Sequence, residues 1–336
     1  MKKSRRNNRI KQRIATAMTS IAIVLAVLLF TVVCMELIIP RIGHAGSNNS
    51  TNSEVENAVE TGTSEVNSRQ IDITINDINS PDALLMKADS GEVISENRGN
   101  ERIYPASMTK IMTTVLAIEK TPDLQKEIEI PVEMFDSLYA ENASRAGFEP
   151  GESATAEDLI YGVMLPSGAE CCLSLANEIA GSEEAFVDLM NAKAQAIGME
   201  NTHFCNSTGL HEEKHYTTAA DMAALLRYAL KSAMFRNVFT SSQHTTAATD
   251  LHPEGFTFDS TLFKYLEDAA VTGGKVIGGK TGYTKEAGQC LASLATIGGE
   301  EYILVTAGAL GDHMTEQLHI DDAIKVFDRL GEELGR

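Results

Sequence analysis

The stretch Ile103–Thr114 reads Ile-Tyr-Pro-Ala-Ser-Met-Thr-Lys-Ile-Met-Thr-Thr and places Ser107 three residues before Lys110, where an apolar, helix-forming segment begins. Because residues three apart share a helix face, the lysine amine is predicted to reach the serine hydroxyl. A serine is a weak nucleophile until a neighbouring base takes its proton, and a lysine whose pKa is lowered by burial can be that base. The stretch therefore predicts a nucleophile and its base at a helix start, where backbone N–H groups can stabilise an oxyanion.

Ser-x-x-Lys alone also occurs as a polar helix start with a solvated lysine. Two further motifs support a catalytic role for Ser107 and Lys110. Ser167–Gly168 follows an apolar helix and a break at Leu165–Pro166. Lys280–Gly282 reads Lys-Thr-Gly and precedes a β-like run. The three motifs in this order are the signature of penicillin-recognising serine enzymes.

Strands are predicted at both ends of the region that carries the motifs, with helices between them. The predicted strands cover 83–87, 93–95, 290–297 and 302–310, the first two forming a hairpin. The predicted helices include one opened by Ser182, one opened by Thr218 and one over 320–334. This order indicates an α+β fold, an antiparallel sheet flanked by helical layers.

The chain resembles the serine D-Ala-D-Ala carboxypeptidases, the low-molecular-mass penicillin-binding proteins of peptidase family S11, from about residue 80 to the end. Besides the nucleophile segment, the matching stretches are Phe186–Asn191, Ile197–Met199, Asn206–Leu210, His215–Met222 and Gly279–Gly288. The resemblance implies the penicillin-binding-protein/β-lactamase-like transpeptidase fold, with a central serine helix and Lys-Thr-Gly on an edge strand. It implies no metal and no cofactor.

The resemblance also assigns catalytic roles. Ser107 would attack the carbonyl of the terminal D-Ala-D-Ala bond of a peptidoglycan stem peptide and form an acyl-enzyme, as it would with a β-lactam antibiotic. Lys110 would be the general base, and Ser167 would relay a proton to the leaving D-alanine.

Substrate binding is assigned to the third motif and the residue after it. Lys280 would supply positive charge near the serine and the substrate carboxylate, and Thr281 would donate a hydrogen bond. Gly282 completes the motif, and the backbone N–H of Tyr283 would form the oxyanion hole together with that of Ser107.

The middle motif departs from the family pattern, which usually ends in Asn. Here Ala169 and Glu170 follow Ser167–Gly168, and alanine offers no side-chain hydrogen bond. Either Glu170 takes part of the missing role, or it is an ordinary solvated helix residue.

A second departure concerns the substrate carboxylate. Relatives often place an arginine on the strand after Lys-Thr-Gly, but no arginine stands between Arg236 and Arg329. His313, Lys285 or Thr281 would have to substitute.

Three rival functions share parts of this pattern. A β-lactamase-like serine hydrolase shares the nucleophile and Lys-Thr-Gly but needs an efficient deacylating glutamate in a loop before Lys280. A wall-binding pseudoenzyme is suggested by Ala169. A zinc D,D-carboxypeptidase is suggested by Glu212-x-x-His215, although His215 already belongs to the family's His-Tyr-Thr-Thr pattern.

The N-terminal region has the layout of an export signal. Residues 1–13 carry seven Lys or Arg and no acid, which predicts a cytoplasmic tail, and residues 14–40 are predicted to be a transmembrane signal anchor or a signal peptide. The polar stretch 41–75 is predicted to be a disordered extracytoplasmic linker before a catalytic domain over 76–336. The expected location is the bacterial cell membrane with the catalytic domain outside, or secretion if the signal is cleaved.

Charge and cysteine content exclude other classes. The net charge of −19 argues against nucleic-acid binding, which needs a basic footprint. Cys171, Cys172, Cys205 and Cys290 lack metal-ligand spacing. They are read as small buried thiols, with a disulfide from Cys205 or Cys290 to the adjacent pair as the alternative.

Overall fold

The computed structural model describes residues 71–266 and 268–335. The predicted tail (1–13), the apolar segment (14–40) and the linker up to residue 70 lie outside these residues. Ile75 is 1% exposed and packs under the main sheet, so the folded region includes residues just before 76. In the part of the chain that is described, none of the helices combines the length and the apolar character needed to cross a membrane.

The main sheet has six antiparallel strands, which are β1 (Asp82–Lys87), β2 (Val93–Asn97), β7 (Ala270–Val271), β8 (Gly274–Thr284), β9 (Gly288–Ile297) and β10 (Glu300–Ala309). Their order in the sheet is β2-β1-β10-β9-β8-β7. The hairpin and both later strands predicted from the sequence are therefore confirmed. Two small two-stranded sheets pair β3 (Glu127–Glu129) with β4 (Ser153–Thr155) and β5 (Gln243–Thr245) with β6 (Thr257–Asp259).

Eight α-helices lie within the described residues. They are α1 (Lys110–Lys120), α2 (Phe135–Ala140), α3 (Ala156–Met164), α4 (Ala169–Ala180), α5 (Glu183–Ala196), α6 (Ala219–Ala229), α7 (Ala233–Phe239) and α8 (Leu318–Leu334). The two predicted caps are confirmed, because the Ser182 hydroxyl accepts a hydrogen bond from the Ala185 N–H and the Thr218 hydroxyl accepts one from the Asp221 N–H.

The two faces of the sheet are covered by different helical layers. Side chains alternate across a strand, so Leu84 of β1 joins the core under α1 and α6, while Leu85 joins the core under α8. The same alternation separates Val305 from Leu304 on β10. The predicted α+β class, an antiparallel sheet between helical layers, is confirmed.

Helix α1 is the central helix of the larger layer. It packs against α3, α4, α5, α6 and α7, and Ile111 and Met112, neighbours on its first turn, are both fully buried. Every residue from Lys110 to Ala117 is buried, so this part of α1 lies inside the core around its whole circumference. The position of Lys110, the first residue of α1, is consequently fixed from all sides.

Candidate active site

Ser107 lies in a short turn before the α-helix and not on the helix itself. The prediction that it opens the α-helix is corrected, because residues Ala106–Thr109 form a 3₁₀ turn and α1 begins at Lys110. Ala106 has φ +47°, a left-handed conformation that is uncommon for alanine. Such strained backbone is concentrated at functional sites and is held there by its surroundings.

Gly209 packs closely against the backbone of this turn. A Cβ atom at Gly209 would lie 1.9 Å from the Ala106 carbonyl oxygen, so a glycine is required for the close approach. The next residue back, Thr208, contacts the base directly, since the Lys110 amine donates a hydrogen bond of 2.6 Å to its carbonyl oxygen. The segment around Thr208 therefore fixes both the nucleophile turn and the lysine.

The Lys110 amine lies 3.2 Å from the Ser107 hydroxyl oxygen. The lysine is only 2% exposed, and this burial lowers the pKa of its amine below the ordinary value of 10.5. A lowered pKa increases the neutral fraction of the amine, which is the form that can accept the serine proton. The geometry predicted for Ser107 and Lys110 is thus present.

Lys280 lies on β8 and is completely buried. Its amine donates a 3.0 Å hydrogen bond to the Thr281 carbonyl oxygen, and burial, with a smaller effect of the Lys110 charge, holds its pKa well below 10.5. The Thr281 hydroxyl donates to the Thr261 hydroxyl over 2.7 Å. Thr261 belongs to no motif, so it could not be predicted as a site residue.

Within the described residues, the segment of β8 that carries the third motif pairs with β9 on one side and with no strand on the other. The short β7 pairs with β8 at Gly274 and Lys275, which leaves the other edge of Lys280–Tyr283 free toward the nucleophile turn. A Cβ at Gly282 would lie 3.0 Å from the Ser107 nitrogen, so the absence of a side chain lets the two segments meet. This brings the backbone of Tyr283 close to that of Ser107.

Ser167 connects α3 to α4 with φ +69°, and its hydroxyl oxygen is buried without a hydrogen-bond partner among the described residues. An unpartnered buried hydroxyl costs free energy and calls for an explanation. Ser167 lines the same cavity as Ser107. Its hydroxyl is therefore available to a substrate group that enters the cavity.

Two adjoining cavities meet at the nucleophile. The larger has a volume of about 690 Å³ and the narrower about 200 Å³. The residues that line both are Ser107, Ser144, Tyr283 and His313. Of the three residues suggested in place of the arginine, Thr281 and His313 line the narrower cavity, whereas Lys285 lines the larger one.

Ala169 lines the larger cavity, but Glu170 lines neither of the two. One carboxylate oxygen of Glu170 accepts hydrogen bonds from the backbone N–H groups of Ala146 (2.6 Å) and Gly147 (3.0 Å). Burial raises the pKa of the Glu170 carboxyl. The solvated alternative for Glu170 does not hold, because the side chain is fully buried.

His215 stabilises the nucleophile segment through a hydrogen bond to Thr109. Its Nδ1 accepts a hydrogen bond from the Cys205 N–H over 3.1 Å, so Nε2 carries the proton and donates it to the Thr109 hydroxyl over 2.7 Å. Burial lowers the pKa of His215 to about 3. With both ring nitrogens engaged, this histidine has a structural role.

The four described cysteines are free thiols. Cys171, Cys172 and Cys290 are buried, as the sequence suggested, and burial raises the pKa of Cys172 and Cys290 to about 12. Cys205 is partly exposed. The alternative of a disulfide to the adjacent pair is not formed in this structure.

Fold and site together define a serine enzyme of the penicillin-recognising class. A sequence model of the D-alanyl-D-alanine carboxypeptidase family, peptidase family S11, matches residues 66–311. The chain belongs to this family, and the resemblance inferred from the motifs is confirmed.

Individual relatives agree with this assignment. The D-alanyl-D-alanine carboxypeptidase DacF of Bacillus subtilis is 36% identical over 230 residues, which cover 68% of this chain and 57% of the relative. DacC of Escherichia coli is 31% identical over 239 residues, 69% of this chain and 57% of the relative. The chain thus spans somewhat more than half the length of these curated relatives.

Solved structures show the same fold. The crystal structure of the Streptomyces K15 DD-transpeptidase superposes with a TM-score of 0.68 at 27% identity, covering 75% of this chain and 97% of that one. A D-alanyl-D-alanine carboxypeptidase from Mycobacterium tuberculosis gives a TM-score of 0.65 at 25% identity, covering 76% and 92%. The predicted transpeptidase fold is therefore confirmed.

Proposed function

We propose that this chain is a serine D,D-carboxypeptidase that removes the terminal D-alanine from peptidoglycan stem peptides and is acylated by penicillin. The observation that carries the proposal is the buried Lys110 amine 3.2 Å from the Ser107 hydroxyl oxygen. Membership of the S11 family and the carboxypeptidase names of the relatives support the substrate class.

Acylation begins when the neutral Lys110 amine takes the Ser107 proton while the serine oxygen bonds to the carbonyl carbon of the scissile amide. Negative charge then develops on the carbonyl oxygen, and the N–H groups of Ser107 and Tyr283 stabilise it. The C–N bond breaks, the D-alanine nitrogen takes a proton relayed by Ser167, and the shortened peptide remains as an ester on Ser107.

Deacylation uses the same base in the second half of the cycle. Lys110 takes a proton from water, the oxygen of that water attacks the ester carbonyl, and the Ser107 oxygen leaves and is reprotonated. With penicillin the leaving nitrogen stays attached to the acyl group, because the broken amide is part of a ring. The ester formed with penicillin is accordingly expected to persist longer than the peptide ester.

The narrower cavity is the proposed site of the leaving D-alanine and its carboxylate. The paired hydroxyls of Thr281 and Thr261 lie there, together with the basic side chains of Lys264 and His313. His319 lines the same cavity, but burial lowers its pKa to about 4, so it is neutral near pH 7. Hydroxyls and dispersed basic groups would thus bind the carboxylate in place of one arginine.

The N-terminal sequence supports a location at the bacterial cell membrane. Residues 1–13 and 14–40 would form the cytoplasmic tail and the signal anchor, and the stretch from 41 to about 70 would link the catalytic domain to the membrane from outside the cytoplasm. Stem peptides and β-lactam antibiotics are the proposed partners. No nucleic acid is expected to bind, given the net charge of −19.

Labelling with a fluorescent penicillin, combined with a D-alanine release assay on a D-Ala-D-Ala peptide, separates the candidate functions. We expect a stable adduct and release of D-alanine. Rapid turnover of the penicillin without D-alanine release would identify a β-lactamase-like hydrolase. Absence of both adduct and release would identify a wall-binding pseudoenzyme.

A further inference from the structure

The loop 141–147 borders the catalytic cleft at the point where the two cavities join. Ser144, like Ser107, lines both cavities, and it is an exposed residue. Its hydroxyl makes no hydrogen bond to any residue in 71–266 or 268–335. Ser144 therefore presents a free donor and acceptor to whatever occupies the cleft.

The loop is fixed by the start of α4. The Ala169 N–H donates a 2.8 Å hydrogen bond to the Ser144 carbonyl oxygen. One residue earlier, a Cβ at Gly168 would lie 2.8 Å from the Ala146 Cβ, so the loop and the helix start are in direct contact. Ser144 and Ala169 are consequently adjacent on one wall of the cleft, where Ala169 offers only a methyl group.

Glu170 also holds the loop 141–147 in place. Its Oε1 accepts the N–H groups of Ala146 and Gly147, the second and third residues after Ser144, over 2.6 and 3.0 Å. Its Oε2 is buried and has no hydrogen-bond partner in the described residues. Burying a carboxyl group with one oxygen unpartnered is costly, so the residue is poorly explained by stability alone.

We propose that Ser144 is a substrate-contacting hydroxyl and that Glu170 is the positioning residue that holds it in the cleft, an inference that rests on the proposed carboxypeptidase function. The amides next to the scissile bond of a stem peptide carry both carbonyl oxygens and N–H groups. Ser144, which lines both cavities together with Ser107, can donate to the former or accept from the latter. It thus supplies the polar contact that Ala169 cannot.

The first experiment measures kcat/KM for D-alanine release from a D-Ala-D-Ala peptide. Ser144→Ala should lower it about tenfold, the effect of losing one hydrogen bond that forms in the transition state, and Ser144→Thr should retain most of it. Ser153→Ala, an exposed serine on β4 outside both cavities, is the matched control and should equal the wild type. Equal values for Ser144→Ala and the wild type would overturn the proposal.

The second experiment is a double-mutant cycle between Ser144 and Glu170. Glu170→Ala should lower kcat/KM about tenfold in the wild type but less than about twofold in the Ser144→Ala background, because a positioning residue acts only through the group that it positions. Glu170→Gln keeps an acceptor oxygen for the two N–H groups and should retain most of the activity. Fully additive losses would show that Glu170 does not act through Ser144.

The two experiments also separate this inference from the proposed function. Ser144 is exposed, so its variants should fold even if Glu170→Ala does not, and the melting temperature of each variant checks this. A wild type that forms a penicillin adduct and releases D-alanine, with an unchanged Ser144→Ala, contradicts this inference alone. A wild type without adduct and release contradicts both.

Discussion

The role proposed for Lys110 as a base depends on the burial of its amine. On a surface its amine would be protonated at neutral pH and could not take a proton from Ser107. At the start of α1 burial disfavours the charged form, and the Thr208 carbonyl holds the amine in place. Lys110 thus differs from most lysines in that its amine is buried.

We predict that the rate constant for acylation by penicillin rises with pH and reaches a plateau below pH 10.5. The rate rises because only the neutral amine accepts a proton, and the plateau comes early because burial lowers the Lys110 pKa from its ordinary 10.5. Stopped-flow acylation measured across the pH range tests this. A rate that still rises tenfold per pH unit at pH 10.5 and above would mean that Lys110 is not the base.

At the scale of elements, the site is assembled from segments that each require a close backbone approach. Gly209 is the sharpest example, because a Cβ there would lie 1.9 Å from the Ala106 carbonyl oxygen, and its φ is +84°. Gly181, at the end of α4, has a similar φ of +81° but no atom within 4 Å of a Cβ. Both glycines have a left-handed backbone, but only Gly209 is in close contact with another segment. Comparing substitutions at the two positions therefore distinguishes the effect of backbone strain from that of steric contact.

Gly209→Ala is predicted to lower the penicillin acylation rate at least about tenfold, since relieving a contact that costs about 1–3 kcal/mol must shift the turn that carries Ser107. Gly181→Ala carries only the cost of the left-handed conformation and should leave acylation unchanged. Acylation rates and melting temperatures of both variants provide the test. If both variants acylate at the wild-type rate, the Gly209 segment does not set the position of Ser107.

What could be predicted from the sequence was local. The caps at Ser182 and Thr218 and the Ser107–Lys110 pair depend on residues three apart, and so their spacing is visible in the chain. The contact of Lys110 with Thr208 spans 98 positions. It could not be predicted, because only the packed fold brings these residues together.

Across the whole molecule, stability is coupled to pH through buried histidines. Burial lowers the pKa of His215 from 6.5 to about 3, so between these values the unfolded chain binds a proton that the folded chain does not. The free energy of unfolding contributed by this group is therefore complete above about pH 6.5 and is lost as the pH falls.

His215→Asn is predicted to lower the stability at pH 7 and to flatten its dependence on pH. The difference in unfolding free energy between wild type and variant should shrink by up to about 1.4 kcal/mol per pH unit between pH 6.5 and about 4. Urea unfolding at several pH values measures it. A difference that stays constant across this range would show that His215 is not held neutral in the folded protein.

Ser107 is the proposed nucleophile, and mass spectrometry of the penicillin adduct identifies the residue that carries the acyl group. The wild type should carry one penicillin on the peptide that contains Ser107, and Ser107→Ala, a folded variant by its melting temperature, should carry none and release no D-alanine. A penicillin adduct in folded Ser107→Ala, or D-alanine release by it at the wild-type rate, would show that another residue is the nucleophile.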